Sequence, residues 1–305
     1  MKSFIKKISF FIISLPILYL VLYISIDYNY NCKNDSDAIF VWGDSQTYQG
    51  INLQVIRDKT DKNIYSYAKH GAGVYDFLVF SEKVPKNTTI ILGVSKPVQL
   101  RRKQNDRNMS GISIIGLLNL YRNGYTFQDI VAIVKKNKKP LKIRQEKTNM
   151  NKYNDSIVLK EPIELFEEIY AEIPSYLYEK QNLYKIGIKK LRDKNCNIIF
   201  IDFPYHSLLK EVENKSLIKI ETEKLTNYII NSSNKIEIDT LPLSSKKQVM
   251  SDLTHLNEFG AEQVSSYISK KIRKYERTTM YIKNCRDSSK FNDCIPFEIY
   301  CKLKN

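Results

Sequence analysis

From residue 38 onward, short apolar runs alternate with longer amphipathic stretches, and this pattern constrains the fold more than any other feature. The runs are AIFVWG (38 to 43), NIYSYA (63 to 68), TTIILGV (88 to 94), CNIIFIDF (196 to 203) and KIEIDT (235 to 240). They are rich in β-branched and aromatic residues and too short for helices, so they read as strands. The intervening stretches read as crossover helices, and the expected class is an α/β fold with a mostly parallel sheet. The clearest helical segment spans 257 to 275, where Val264, Ile268, Ile272 and Tyr275 recur at helical spacing and Asn257 stands as N-cap. A second spans 161 to 193, with Pro174 expected to end or kink it. Hydrophobic residues at 43% and charged residues at 27% are those of a folded chain rather than a disordered one.

Residues 8 to 26, ISFFIISLPILYLVLYISI, form nineteen positions without a charge. At about 1.5 Å per residue that covers a hydrocarbon core of about 30 Å, so the run is expected to be a transmembrane helix. Lys2, Lys6 and Lys7 precede it, whereas Asp27, Asp35 and Asp37 follow it. The positive-inside rule therefore puts residues 1–7 in the cytoplasm and the rest of the chain outside. A cleaved secretory signal competes, but SIDYNYNC lacks a small-residue cleavage site, and a retained signal anchor is expected. Residues 27–37 read as a linker, 38–275 as the α/β domain with an insertion at 95–160, and 276–305 as a cysteine-containing tail.

Lys and Arg outnumber Asp and Glu by 48 to 33, a formal charge of +15 that suits an anionic environment: nucleic acid, phospholipid or acidic glycan. No nucleic-acid module is recognisable, and an outward-facing domain does not meet nucleic acid. Seven Lys or Arg between 135 and 147 read as a solvated surface or as a grip on phosphate or carboxylate groups. Cys285, Cys294 and Cys301 cluster in the tail, Cys32 follows the apolar run, and Cys196 opens a strand, where it reads as a buried free thiol. The spacings match no zinc pattern, so neither metal nor cofactor is expected.

Ser45 follows the first strand in GDSQ, and open parallel sheets place their ligand crevice beyond the carboxyl ends of the strands. A serine hydroxyl becomes a nucleophile only with a base in hydrogen-bond reach, usually a histidine oriented by a carboxylate. Only His70, His206 and His255 exist. His255 lies in SDLTHLNEFG, three residues after Asp252 and just before the last amphipathic helix. On one short loop Asp252 can hold one ring nitrogen while the other faces a serine. His70 and His206 have no carboxylate at such spacing and are read as non-catalytic.

A Ser after the first strand, a Gly after the second and Asp-x-x-His before the final helix form a block pattern that resembles the SGNH or GDSL-type hydrolase superfamily, over roughly residues 37 to 275. The resemblance implies a three-layer, flavodoxin-like α/β fold with Ser45, Asp252 and His255 as catalytic triad. It further implies an oxyanion hole from the backbone N–H groups of Ser45 and Gly71, Gly73 being the less favoured choice. Superfamily members usually carry Gly-x-Asn-Asp after the third strand, whereas this chain has Gly93-Val94-Ser95-Lys96. Ser95 thus stands where the third oxyanion donor, an Asn, is expected, and losing one such donor costs about 10² to 10³ in rate.

These readings point to a membrane-anchored serine esterase or O-acyltransferase, acting on acetyl groups of an extracytoplasmic carbohydrate. Hydrolase and transferase share the same residues. The polysaccharide comes from the association of anchored superfamily members with surface-glycan acylation. The alternative is a catalytically silent envelope protein of the same fold that binds glycan or partners in polysaccharide assembly.

Overall fold

The computed structural model describes residues 14, 35, 37–100, 163–232 and 249–287. Its strands are β1 (Ile39–Gly43), β2 (Ile64–Ser66), β3 (Thr89–Gly93) and β4 (Asn197–Ile201). Its helices, in chain order, are α1 (Ser45–Gly50), α2 (Leu53–Thr60), α3 (Val74–Lys83), α4 (Lys96–Leu100), α5 (Ile163–Ala171), α6 (Leu177–Asp193), α7 (Ser207–Lys215), α8 (Ile218–Ser232) and α9 (Glu258–Asp287). The four strands make one parallel sheet in the order β2-β1-β3-β4, consistent with a flavodoxin-like arrangement.

Helices on both sides explain why the strands are predominantly apolar on both faces instead of alternating. Phe40, Trp42, Ile90, Leu92, Ile198 and Phe200 face one layer with residues of α3, α6 and α8. Trp42 packs there against Phe77, ring centroids 4.8 Å apart, and against Tyr184. Ile39, Val41, Ile91, Ile199 and Ile201 face the other layer, formed by α2 and α9 through Ile56, Val264, Ile268 and Ile272. Fully burying one such side chain contributes about 1.5–3 kcal/mol, so the strand and helix stripes together specify a three-layer core.

The long helical region of the sequence divides at Pro174, whose carbonyl accepts the Leu177 N–H at 2.9 Å as α6 begins. Asn257 caps α9, its Oδ1 accepting the Gly260 N–H at 2.9 Å. Cys196 is a buried free thiol. Residues 96–100 of the expected insertion form α4. Residues 101–160 of that insertion, the apolar run at 8–26 apart from Ser14, the strand expected at 235–240, and Cys32, Cys294 and Cys301 lie outside the described residues. Among the described residues no helix is long and apolar enough to cross a membrane.

Candidate active site

The carboxyl ends of β1 and β3 meet in register at Gly43 and Gly93. Neither has a side chain, and Thr47 of α1 fills the space above both. A Cβ on Gly43 would lie 1.9 Å from Thr47 Oγ1, and one on Gly93 would lie 2.1 Å from it. The two glycines therefore form the floor on which α1 rests, and α1 begins with Ser45. Asp44 caps this helix, its carboxylate accepting the Gln46 N–H at 3.0 Å. Gly-Asp-Ser is thus a strand end, a helix cap and a first helical residue in succession, and it holds Ser45 half-buried at the sheet rim.

β2 continues toward the same rim beyond its last ladder residue, since Tyr67 N–H donates to Val41 O at 2.7 Å and Lys69 N–H to Gly43 O at 3.2 Å. The turn that follows places Gly71 at φ 71°, a left-handed conformation that favours glycine. Gly43 precedes Ser45 by two residues and Lys69 precedes Gly71 by two, so the Lys69–Gly43 bond draws the two backbone segments together. His70 is exposed and packs on Tyr48 of α1, ring centroids 4.5 Å apart. Gly73 instead caps α3, its N–H donating to Asp76 Oδ2 at 3.3 Å.

Asp252 and His255 sit on a loop closed at its base. Met250 and Leu256 form an antiparallel bridge, Ser251 N–H donates to His255 O at 2.9 Å, and Asn257 N–H donates to Val249 O at 2.9 Å. Within it, His255 Nδ1 lies 2.7 Å from Asp252 Oδ2. Asp252 Oδ1 accepts the backbone N–H groups of Thr254 at 2.7 Å and His255 at 2.6 Å. Burial works to raise the Asp252 carboxyl, but the His255 hydrogen bond, the His255 charge and the two amides outweigh it and hold the group below its ordinary value. An ionised carboxylate on Nδ1 fixes the tautomer with the Nδ1 proton and leaves Nε2 as the basic nitrogen. Nε2 is shielded from solvent.

Bonds to His206 and Gln46 attach this loop to the body. His206, which caps α7, donates its backbone N–H to Leu253 O at 3.0 Å. Gln46, the neighbour of Ser45, donates Nε2–H to Thr254 O at 2.7 Å. The second bond brings the Ser45 segment and the Asp252–His255 loop together at one end of the sheet, through the residue next to Ser45 rather than through its hydroxyl.

Ser95 is buried just beyond β3 and donates its hydroxyl proton to Asp44 Oδ2. A serine hydroxyl has one proton, so in this arrangement it is given to Asp44 and not presented to the crevice. Burial raises the Asp44 carboxyl above its usual value, against the opposing pull of Ser95, the Gln46 N–H and the charge of His255. Sequence reasoning assigned no role to Asp44 or Gln46; the cap signal of Asp before a short helix was readable, while the Gln46 partner lies 208 residues away in the chain. Among the described residues no group of three His, Cys, Asp or Glu side chains is placed to hold a metal ion.

No family model matches this chain, and no curated protein matches it. Among solved structures, the crystal structure of protein YXIM from Bacillus subtilis matches with 10% sequence identity and a TM-score of 0.39. The match covers 79% of this chain and 57% of that one, so the chain spans little more than half the length of that protein.

Proposed function

We propose that this protein is a serine esterase or O-acyltransferase in which Ser45 is the nucleophile, His255 the general base and Asp252 the residue that orients the imidazole. The observation that carries the reading is the pairing of two bonds, Asp252 Oδ2 to His255 Nδ1 at 2.7 Å and Gln46 Nε2 to Thr254 O at 2.7 Å. The first prepares a base, and the second seats that base beside the helix bearing Ser45. In the reaction the Ser45 hydroxyl attacks an acyl carbonyl while its proton passes to Nε2 of His255. The backbone N–H groups of Ser45 and Gly71 meet the oxyanion, and the leaving alcohol takes the proton back. Water or a second hydroxyl then accepts the acyl group. The apolar run at 8–26 supports an anchor with the α/β domain outside the cytoplasm, and the +15 charge supports an anionic glycan or membrane surface nearby. The proposed substrate class, an acetylated carbohydrate, comes from analogy with anchored members of the superfamily that the chain resembles.

The experiment is hydrolysis of 4-nitrophenyl acetate by the full-length protein. The reading expects activity that Ser45→Ala abolishes, and activity unchanged by that substitution removes Ser45 from the mechanism. One observation favours the second reading, a silent glycan- or partner-binding protein of the same fold: the Ser95 proton is committed to Asp44, which leaves two backbone donors for an oxyanion. Glycan binding by a chain inert toward esters supports that reading.

A further inference from the structure

We propose that Gln46 is the positioning residue of this site: its side-chain amide sets the distance between Ser45 and the imidazole of His255. The inference rests on the esterase reading and extends it to a residue that takes no part in the chemistry. Gln46 is 3% exposed and adjoins Ser45 in α1, so its side chain and the Ser45 hydroxyl leave the same turn of helix. Its Nε2–H reaches Thr254 O at 2.7 Å. Thr254 is in turn fastened to both members of the acid–base pair, its Oγ1 lying 3.1 Å from Asp252 Oδ1 and 3.1 Å from His255 Nδ1. One amide group therefore joins the nucleophile's helix to the carboxylate and imidazole through a single intermediate residue. The amide has one usable orientation, because the reverse would set Oε1 against the Thr254 carbonyl, acceptor facing acceptor.

Other attachments act elsewhere on the loop. The His206 N–H holds Leu253 O from the β4 side, and the antiparallel bridge closes the loop on itself. Leu253 packs with Tyr205 and Leu209, and Met250 and Leu256 pack with Val264 and Ile268, so these contacts fix the base of the loop, while the Gln46 bond acts at Thr254 beside the imidazole and sets its separation from Ser45. Reactivity depends steeply on such a separation, with a misplacement of about 1 Å costing about 10²-fold.

The test uses full-length Gln46→Met, which keeps the length of the side chain and lacks the donor, and Gln46→Glu, which donates to Thr254 O only while its carboxyl is protonated. Two quantities are read: amide hydrogen exchange at Thr254, His255 and Leu256, and the rate at which a fluorophosphonate labels Ser45. In Gln46→Met, exchange at these amides should quicken, and labelling should slow by about 10- to 100-fold. In Gln46→Glu, the labelling rate relative to wild type should fall as pH rises, a dependence that loss of packing alone does not produce. The second variant also decides the matter if the first does not fold. Unchanged exchange, or faster exchange with unchanged labelling, overturns the inference. A wild-type chain that takes no label at Ser45 overturns the esterase reading instead, and the exchange result then still decides whether Gln46 holds the loop.

Discussion

Replacing Gly93 by Ala tests whether the glycine floor under α1 is a steric requirement. The added Cβ would lie 2.1 Å from Thr47 Oγ1 and 3.0 Å from Phe203 Cε2, so α1 must lift or Thr47 must move. Overpacking of this kind costs about 1–3 kcal/mol. The reduced freedom of the unfolded chain returns about 0.4–1 kcal/mol, so a net loss of about 1–2 kcal/mol is expected. Thr47→Ala removes the clashing hydroxyl. That hydroxyl is buried without a hydrogen-bond partner among the described residues, so deleting it offsets much of the cost of the lost methyl group. The double variant Gly93→Ala/Thr47→Ala should therefore recover about 1 kcal/mol or more relative to Gly93→Ala plus Thr47→Ala taken separately. Gly43→Ala should not be rescued in the same way, because its Cβ would also lie 2.8 Å from the backbone oxygen of Gly93, which cannot be trimmed. Urea unfolding at constant m-value is the assay. A Gly93→Ala chain as stable as wild type, or one whose loss Thr47→Ala leaves untouched, refutes the reasoning.

Asp252→Asn should lower kcat toward 4-nitrophenyl acetate by about 10³- to 10⁴-fold with little change in KM, since the imidazole loses the carboxylate that fixes its tautomer; an unaffected kcat contradicts this. The Asp252 carboxyl is held below its unfolded value of about 3.9, so its contribution to stability is present above that pH and is lost as pH falls through the lower folded value. Urea midpoints of wild type and Asp252→Asn should accordingly converge in acid. Asp44 has the opposite sign, because its folded value is raised by burial. Its titration favours the folded state in acid, and that advantage is lost as pH rises through the folded value, so the stability of wild type relative to Asp44→Asn should fall with pH. Cys196 is buried with its Sγ 3.5 Å from Pro85 O, and a thiol reagent should modify it only as fast as the domain opens, a rate that denaturant should increase.

Four of the strands were legible in the sequence because each is a short run rich in branched and aromatic residues. A strand covered by helices on both faces needs such a run, and few other local structures tolerate it. Pro174 announced the break between α5 and α6 by the steric and hydrogen-bond limits of its ring. Asp252 and His255 were legible as a pair because they stand three positions apart on one loop, and that proximity survives any arrangement of the rest. The bond between Ser95 and Asp44 was not, since it exists only because β3 lies beside β1 in the sheet. Sheet order is set by competition among many contacts, none of them local. The seat of Thr47 on Gly43 and Gly93 depends on the same adjacency and on its register. Gln46 carried no sign of its role in the sequence, because its partner comes from the far end of the domain.

Covalent trapping of the nucleophile decides the matter most directly. The full-length protein and its His255→Ala variant would each be treated with a fluorophosphonate, and the adduct located by intact mass and peptide mapping. The account predicts one adduct, on Ser45, that forms in wild type and is lost when His255 is replaced. An adduct that forms equally well without the imidazole, or none on Ser45 in either chain, contradicts it.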